Sequence, residues 1–380
     1  MPTIATPIKP ELIRWAVQRT GKTVPELAKA LGAKEEQVKG WMKGDEPIPL
    51  AKAQALASGA LVPLPLLYLP AVPETTPHLA DFRTVNNAQL RDPSPELEAT
   101  IRLAETRQKW YREYLVFNGH EPLRLVGSLV RRVPVSDAAR HIVSTIGLQE
   151  GFTMNARTAA DAARMFLERL EDAGVLVMRN GVLDNNTHRP LDPDEFRGFA
   201  LADEYAPLVF VNTADARSAQ LFTIAHETVH IFQGGRGVSG TEPQNANERF
   251  CNRVAAEILA PAKTVAEIWR KAKGDLQKRV ENLANTFHLS LQAMLLCVRD
   301  TGLLTPDQFR TLWTHATDAA ALHGKGGNFY RTLKNRVSPM FTRAVIVDAQ
   351  NGRTPYLDAF RLLTVKNREG MERLLEEVGV

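Results

Sequence analysis

The most constraining feature of this 380-residue sequence is an apolar stretch, residues 218–232, that contains a single formally charged side chain, Glu227. Its apolar residues are spaced as in a helix, so we expect a helix here that packs against the rest of the fold. An isolated carboxylate on such a helix is costly unless a specific partner offsets its charge. The stretch therefore points to a functional role for Glu227.

Two of the nine histidines in the chain, His226 and His230, flank this carboxylate. Four residues turn a helix by about 400°, so both imidazoles leave the helix on one face, where a single metal ion can accept a nitrogen from each. This is the H-E-x-x-H arrangement of zinc metalloproteases, in which the glutamate acts on a water molecule as a general base. The alternative, two partly buried histidines on a core helix, leaves Glu227 unexplained.

A catalytic zinc site needs a third protein ligand, and the next helical stretch offers two acids, Glu248 and Glu257. Helical phase places Glu248 beside the apolar face of this helix, whereas Glu257 lies opposite, four residues after Arg253, as expected for an ion-paired surface residue. Glu248 is the predicted third ligand, and Asn252, one turn later, is a predicted hydrogen-bond partner for a coordinating imidazole. The alternative for Glu248 is a solvated residue at a helix N-terminus.

The start of the chain carries the turn and capping signals of short helices. Four are predicted: Glu11–Thr20, Val24–Leu31, Lys34–Lys43 and Leu50–Ala57. The run TVPELAKALG at 23–32 and the run VKGW at 38–41 resemble the helix-turn-helix of Xre-type repressors. If the third helix reads DNA, its exposed polar residues are the expected contacts: Lys34, Gln37, Lys39 and Lys43.

Two observations weaken the DNA-binding interpretation. Glu35 and Glu36 stand at the start of the same helix, and residues 1–80 carry a net charge of only +2. A net charge this small is low for a domain that binds DNA through phosphate contacts and the release of counterions. A four-helix fold used for protein contacts or dimerisation is the alternative.

The stretches 222–230 (FTIAHETVH) and 248–261 (ERFCNRVAAEILAP) together resemble the paired signature of the ImmA/IrrE family of metallopeptidases, over about 194–304. With the Xre-like front, the chain resembles the longer bacterial members that fuse both parts. The resemblance implies a gluzincin-like fold, bound zinc, a cytoplasmic location, and cleavage of a helix-turn-helix repressor in stress response or mobile-element control. Some fused members are thought to be the antitoxin or regulator half of a two-gene module. Thr228 and Val254 depart from the commonest family pattern, and neither is a predicted ligand.

The predicted fold class is mainly α with a small β-sheet (α+β): a helix-turn-helix bundle, a gluzincin-like zincin domain and a helical C-terminal region. Further predictions are a long helix over Pro95–Phe117, a proline-rich linker over Val62–His78, strands near 175–179, 198–203 and 208–212, and a hairpin at Asn180-Gly181. The domain boundaries are placed at 1–61 (helix-turn-helix), 62–130 (linker and helical spacer), 131–304 (metallopeptidase) and 305–380 (basic helical region).

Composition limits the remaining classes. Two cysteines, Cys251 and Cys297, cannot build a disulfide framework, and the longest apolar stretch near the start is broken by prolines, so we expect a cytoplasmic protein without a membrane partner. The net charge of +4 lies mostly in the tail, where the five basic residues of Lys325–Arg343 have no acid between them. That segment either is a solvated helix face or meets an anionic partner, and a homodimer is left open.

These observations favour a zinc-dependent endopeptidase that acts on a cytosolic protein. The alternative is a DNA-binding regulator or antitoxin whose metallopeptidase-like part is a sensor or a protein-binding platform. Autocleavage in the linker over Val62–His78 is a third hypothesis.

Overall fold

A computed structural model describes residues 7–73, 93–129, 133–234, 244–322 and 336–377. Within these ranges the protein is mainly α-helical with one small sheet, which confirms the predicted fold class. The chain divides into two compact units, Met1–Asp81 with Leu90–Arg102, and Phe82–Gln89 with Leu103–Val380.

The first unit contains the four helices that the sequence predicts. They are α1 (Pro10–Arg19), α2 (Val24–Leu31), α3 (Glu35–Lys43) and α4 (Leu50–Gly59). Local signals set their ends: the Glu26 carboxylate accepts a hydrogen bond from the backbone N–H of Thr23 at 2.9 Å, and Gly32 ends α2 at a φ of 58°. The bounds agree with the prediction to within two residues because caps and glycines act locally.

The predicted linker over Val62–His78 is wrong in its first part. Leu64–Tyr68 form a short 3₁₀-helix, and Leu67 is fully buried in the core of the first unit together with Leu12, Trp41 and Leu56. The prolines that suggested an extended chain instead begin a tight helical turn, since proline fits the first positions of a helix. Residues 74–78 lie outside the described part of the chain.

The predicted long helix is present as α5 (Pro95–Phe117), which contributes residues to both units. In the first unit Glu98 pairs with Arg19 at 2.5 Å. In the second unit the buried Arg107 donates hydrogen bonds to the Leu362 carbonyl at 2.9 Å and to the Thr364 hydroxyl at 2.7 Å. A buried guanidinium with such partners fixes this part of α5 against the C-terminal helices.

The second unit continues with α6 (Val135–Thr145), α7 (Phe152–Asn155) and α8 (Ala159–Asp172), followed by a three-stranded sheet. The strands are β1 (Leu176–Asn180), β2 (Gly198–Leu201) and β3 (Leu208–Asn212), in the order β1-β3-β2. β1 pairs with β3 in parallel, Leu176 opposite Leu208, and β2 pairs with β3 antiparallel, Gly198 opposite Val211.

The hairpin predicted at Asn180-Gly181 is wrong. β1 pairs with β3 rather than with β2, the next strand along the chain. The Asn180 side chain instead accepts hydrogen bonds from the backbone N–H groups of Gly181 and Val182, at 3.0 and 3.3 Å. The Asn-Gly pair therefore makes a local side-chain turn that leads the chain away from the sheet.

Five helices follow the sheet: α9 (Arg217–Gln233), α10 (Gln244–Leu259), α11 (Ala262–Lys271), α12 (Leu276–Phe287) and α13 (Leu291–Asp300). α9 lies against the sheet and α8, and it also packs against α10. Its apolar residues, among them Leu221, Ile224 and Val229, are buried in the core of the second unit. Cys251 and Cys297 are both buried there as thiols that form no disulfide.

The C-terminal region is helical, as predicted: α14 (Pro306–Leu322), α15 (Pro339–Gln350), α16 (Tyr356–Leu363) and α17 (Arg368–Glu377). Of the basic run Lys325–Arg343, residues 325–335 lie outside the described part of the chain. In the ranges that the structure describes, no helix is both long enough and apolar enough to cross a membrane.

Candidate metal centre

α9 brings the predicted histidines to one face. It runs unbroken through His226-Glu227-Thr228-Val229-His230 and ends at Gly234, whose φ of 72° allows the chain to leave the helix. The imidazoles of His226 and His230 lie one turn apart with their Nε2 atoms 3.0 Å from each other. The apolar residues of α9 must face the core, which sets the orientation of the helix about its axis. The face that carries both rings therefore follows from the sequence.

α10 supplies the third predicted ligand. The Glu248 side chain is 2% exposed, and its two oxygens lie 3.2 Å from His226 Nε2 and 3.2 Å from His230 Nε2. These three residues form a group whose ligand atoms all lie within 4.8 Å of one another. The structure therefore brings together the three residues that the sequence proposes from two separate helices.

The three close contacts cannot all be hydrogen bonds while Glu248 is ionised. If both Nε2 atoms carry a proton and donate to Glu248, they meet each other as two donors. If only one carries a proton, the other nitrogen faces the carboxylate as a second acceptor. A divalent cation at the centre removes the conflict, since it attracts all three lone pairs.

The donor set also fits a metal by size. Ligands at about 2.0–2.2 Å from a tetrahedral zinc ion are about 3.3 Å from one another. The two Nε2 atoms are 3.0 Å apart, and each lies 3.2 Å from one oxygen of Glu248, which is close to that value. Two imidazoles and a carboxylate are, moreover, the ligands that a catalytic zinc site combines with one open position.

Glu227 lies on α9 beside the sheet. Its side chain is 9% exposed, and it is next to Gly198 at the start of β2. A Cβ atom at Gly198 would stand 3.5 Å from Glu227 Cγ, 2.5 Å from Thr223 Cγ2 and 2.6 Å from the Phe210 carbonyl oxygen. The glycine is thus required for β2 to pass this close to Glu227.

Glu257 and Asn252 are two other residues of α10 that the sequence analysis singles out. The half-buried Glu257 carboxylate accepts a hydrogen bond from the backbone N–H of Ala262 at 3.0 Å, and burial raises its pKa, so the prediction of an ion-paired surface residue is wrong. Asn252 is half-buried one turn after Glu248. No hydrogen bond joins its amide to either imidazole among the residues that the structure describes, and its role stays a prediction.

Sequence reasoning missed a pair of amides beside the ligands. Gln233 Nε2 donates to Asn247 Oδ1 at 3.0 Å, and Asn247 Nδ2 donates back to Gln233 Oε1 at 3.3 Å. The Cys251 thiol donates to the same Gln233 oxygen at 3.4 Å. This amide pair joins α9 just after His230 to α10 just before Glu248.

The four predicted DNA contacts lie on or next to α3 in the first unit. Lys34, Gln37, Lys39 and Lys43 are all exposed. Gln37 Oε1 accepts a hydrogen bond from the Lys34 backbone N–H at 3.0 Å, and Lys39 lies 3.9 Å from the Glu35 carboxylate. The lysine side chains are therefore accessible to solvent, and the acidic residues Glu35 and Glu36 lie in the first turn of the same helix.

Comparison with known families agrees with this placement of the site. Residues 170–297 match the sequence model of a peptidase family described as the IrrE N-terminal-like domain. Residues 337–377, which include α15, α16 and α17, match a domain of unknown function (DUF8813). No curated protein matches the chain.

The match over residues 170–297 includes all three candidate ligands and Glu227. A small sheet beside a helix with H-E-x-x-H also fits a zincin-like fold. The match supports the ImmA/IrrE family, and residues 170–297 are a metallopeptidase-like domain.

Proposed function

We propose that this protein is a zinc-dependent endopeptidase whose metal is held by His226, His230 and Glu248. The observation that carries the proposal is the convergence of two imidazole nitrogens and a buried carboxylate within 3.2 Å of one another. A bound Zn²⁺ would supply Lewis-acid polarisation of a peptide carbonyl and of a water molecule. The mixed nitrogen and oxygen donors, without a thiolate, favour a catalytic site over a structural one.

Glu227 is the general base in this proposal. It adjoins His226 in sequence, but the geometry of the three ligands does not use its carboxylate. Its place beside them lets it take a proton from the attacking water and pass that proton to the leaving amine. Glu227 is only 9% exposed, which limits the access of bulk water to its carboxylate.

The free edge of β2 is the proposed binding strip for the substrate. Within the described ranges β2 pairs only with β3, so its other edge offers backbone groups to an added strand. Gly198 places this strand next to Glu227. An extended peptide bound along β2 would therefore present a backbone carbonyl to the site.

The resemblance to ImmA/IrrE proteins supports a helix-turn-helix repressor as the substrate, in stress response or mobile-element control. The same resemblance supports a cytoplasmic location and a partner encoded in a two-gene module. The identity of the protein that is cleaved tests the substrate and the partner, and cell fractionation tests the location.

The proposal is tested by metal analysis and by cleavage of a helix-turn-helix repressor encoded beside this gene. The purified protein is expected to hold one zinc per chain, and His226→Ala to hold none. The control His188→Ala removes an exposed histidine and should retain zinc. Glu227→Gln should retain zinc and lose cleavage, because the amide cannot accept the proton. A wild-type protein that binds no zinc, or full cleavage by Glu227→Gln, would contradict the proposal.

A second function, DNA binding by the first unit, rests on the exposed cations Lys34, Lys39 and Lys43. We propose that α3 contacts phosphates, with Gln37 near base edges. Binding to the promoter of its own operon should then weaken steeply as salt rises, and Lys39→Ala should make that slope shallower by about one unit. Absence of binding at low salt would remove this candidate, while both functions can coexist in one chain.

A further inference from the structure

A cleft of about 560 Å³ opens on the second unit, between α10, the starts of α6 and α11, and the end of α13. Glu257 lines this cleft and lies nine residues after Glu248, which places the two carboxylates on opposite sides of α10. The cleft is therefore separate from the metal centre. Its volume lies within the range of small-molecule sites in proteins.

Glu257 is a half-buried carboxylate in this cleft. One of its oxygens accepts a hydrogen bond from the Ala262 backbone N–H at 3.0 Å. In the described part of the chain no lysine or arginine forms an ion pair with it, Arg253 four residues earlier included. Burial and the nearby charge of Glu150 raise its pKa. A cation that entered the cleft would stabilise the ionised carboxylate.

The other ionisable groups that line the cleft leave Glu257 as its main electrostatic feature. Asp300 pairs with Arg299 at 2.7 Å. Arg253 is exposed, so water and salt screen its charge. Burial raises the pKa of the Cys297 thiol to about 12, so this side chain carries no charge at neutral pH. The remaining walls are largely apolar: Val133, Val135, Phe250, Ala256 and Ala260.

We propose that this cleft binds a small organic ammonium ion with an apolar body. The ammonium group donates a hydrogen bond to the Glu257 carboxylate, and hydrogen bonds between charged groups are stronger than those between neutral ones. The apolar body packs against Phe250, Val135 and Ala256. The carboxylate thus selects a cation over a neutral or anionic molecule of the same shape. The site requires neither the metal nor Glu227.

The test measures the dissociation constants of benzylammonium, benzyl alcohol and benzoate by ligand-observed NMR, with the full-length protein at neutral pH. EDTA is present throughout, so the result does not depend on the proposed peptidase activity. The wild type should bind benzylammonium about tenfold more tightly than benzyl alcohol, and benzoate most weakly. Glu257→Gln keeps an oxygen for the Ala262 N–H but loses the charge. This variant should bind benzylammonium about tenfold more weakly than the wild type and benzyl alcohol equally well.

Two more variants make the test specific to the cleft. Glu267→Gln is the matched control, because Glu267 is exposed on α11 and does not line the cleft, and it should bind benzylammonium like the wild type. Ala256→Leu places a larger side chain in the cleft and should lose the binding of both benzylammonium and benzyl alcohol. Three results would each overturn the proposal: no binding of benzylammonium by the wild type, equal affinity for benzylammonium and benzoate, or undiminished benzylammonium binding by Glu257→Gln.

Discussion

Glu171, at the end of α8, gives the second unit a pH-dependent stability that one substitution should remove. Its carboxylate accepts hydrogen bonds from the Val177 N–H at 3.0 Å and the Ser338 hydroxyl at 2.9 Å. Burial raises its pKa from 4.5 to about 7, and the hydrogen bonds only partly oppose that effect. The folded protein therefore holds a proton on Glu171 more tightly than the unfolded chain does.

The sign and size of the effect follow from this difference. Between pH 4.5 and about 7 the unfolded chain has released the proton while the folded protein retains it, so the free energy of unfolding falls as pH rises. At about 1.36 kcal/mol per pH unit, the loss is about 3 kcal/mol, complete above pH 7. Glu171→Gln removes the ionisation. Its amide can still accept from Val177 and donate to Ser338, and it gives up only the long hydrogen bond of 3.4 Å from the Met340 N–H.

The assay is urea unfolding in EDTA, followed by circular dichroism between pH 4.5 and 8. The unfolding free energy of Glu171→Gln minus that of the wild type should increase by about 3 kcal/mol over this range. Glu168→Gln is the control on the same helix, because Glu168 is exposed and pairs with Arg164 at the surface, so its difference from the wild type should stay nearly constant. Parallel pH profiles for Glu171→Gln and the wild type would refute the reasoning.

Two further substitutions test the surroundings of the metal centre. Gly198→Ala should destabilise the protein by about 1–3 kcal/mol in urea unfolding and abolish cleavage, because the new Cβ would stand 2.6 Å from a backbone oxygen and force β2 away from Glu227; unchanged stability would contradict this. Gln233→Ala should weaken zinc binding by about tenfold in a chelator competition, and exchanging the two amides, Gln233→Asn with Asn247→Gln, should restore it because the combined reach is unchanged. If the exchanged pair binds zinc no better than Gln233→Ala, the amide pair does not position the ligands.

The sequence predicts those parts of the fold that depend on neighbours along the chain. The ends of α2 follow from Thr23 and Gly32, and α5 has the predicted bounds, Pro95–Phe117. The shared face of His226 and His230 follows from helical geometry in the same way. The position of Glu248 on the inner side of α10 follows from helical phase as well, because that side must pack against the core.

Contacts between distant segments are what the sequence does not reveal. β1 pairs in parallel with β3 and not with β2, the next strand along the chain, so the hairpin predicted from the Asn-Gly dipeptide does not form. The pairing of Gln233 with Asn247 depends on how α9 and α10 approach each other, and neither amide has a distinctive sequence pattern. Leu67 likewise gains its burial only from the packing of the helices before it.

The two outer edges of the sheet differ in a way that bears on self-association. On β1 the N–H of Val177 donates to Glu171 and that of Arg179 donates to the Arg336 carbonyl, so this edge is capped by the chain itself. An uncapped strand edge invites pairing with another molecule, including the same protein. A truncated protein that ends before Arg336 would lose the cap on Arg179 and would be prone to aggregate through β1. In the intact chain, intermolecular strand addition is directed away from this edge and toward β2, beside Glu227.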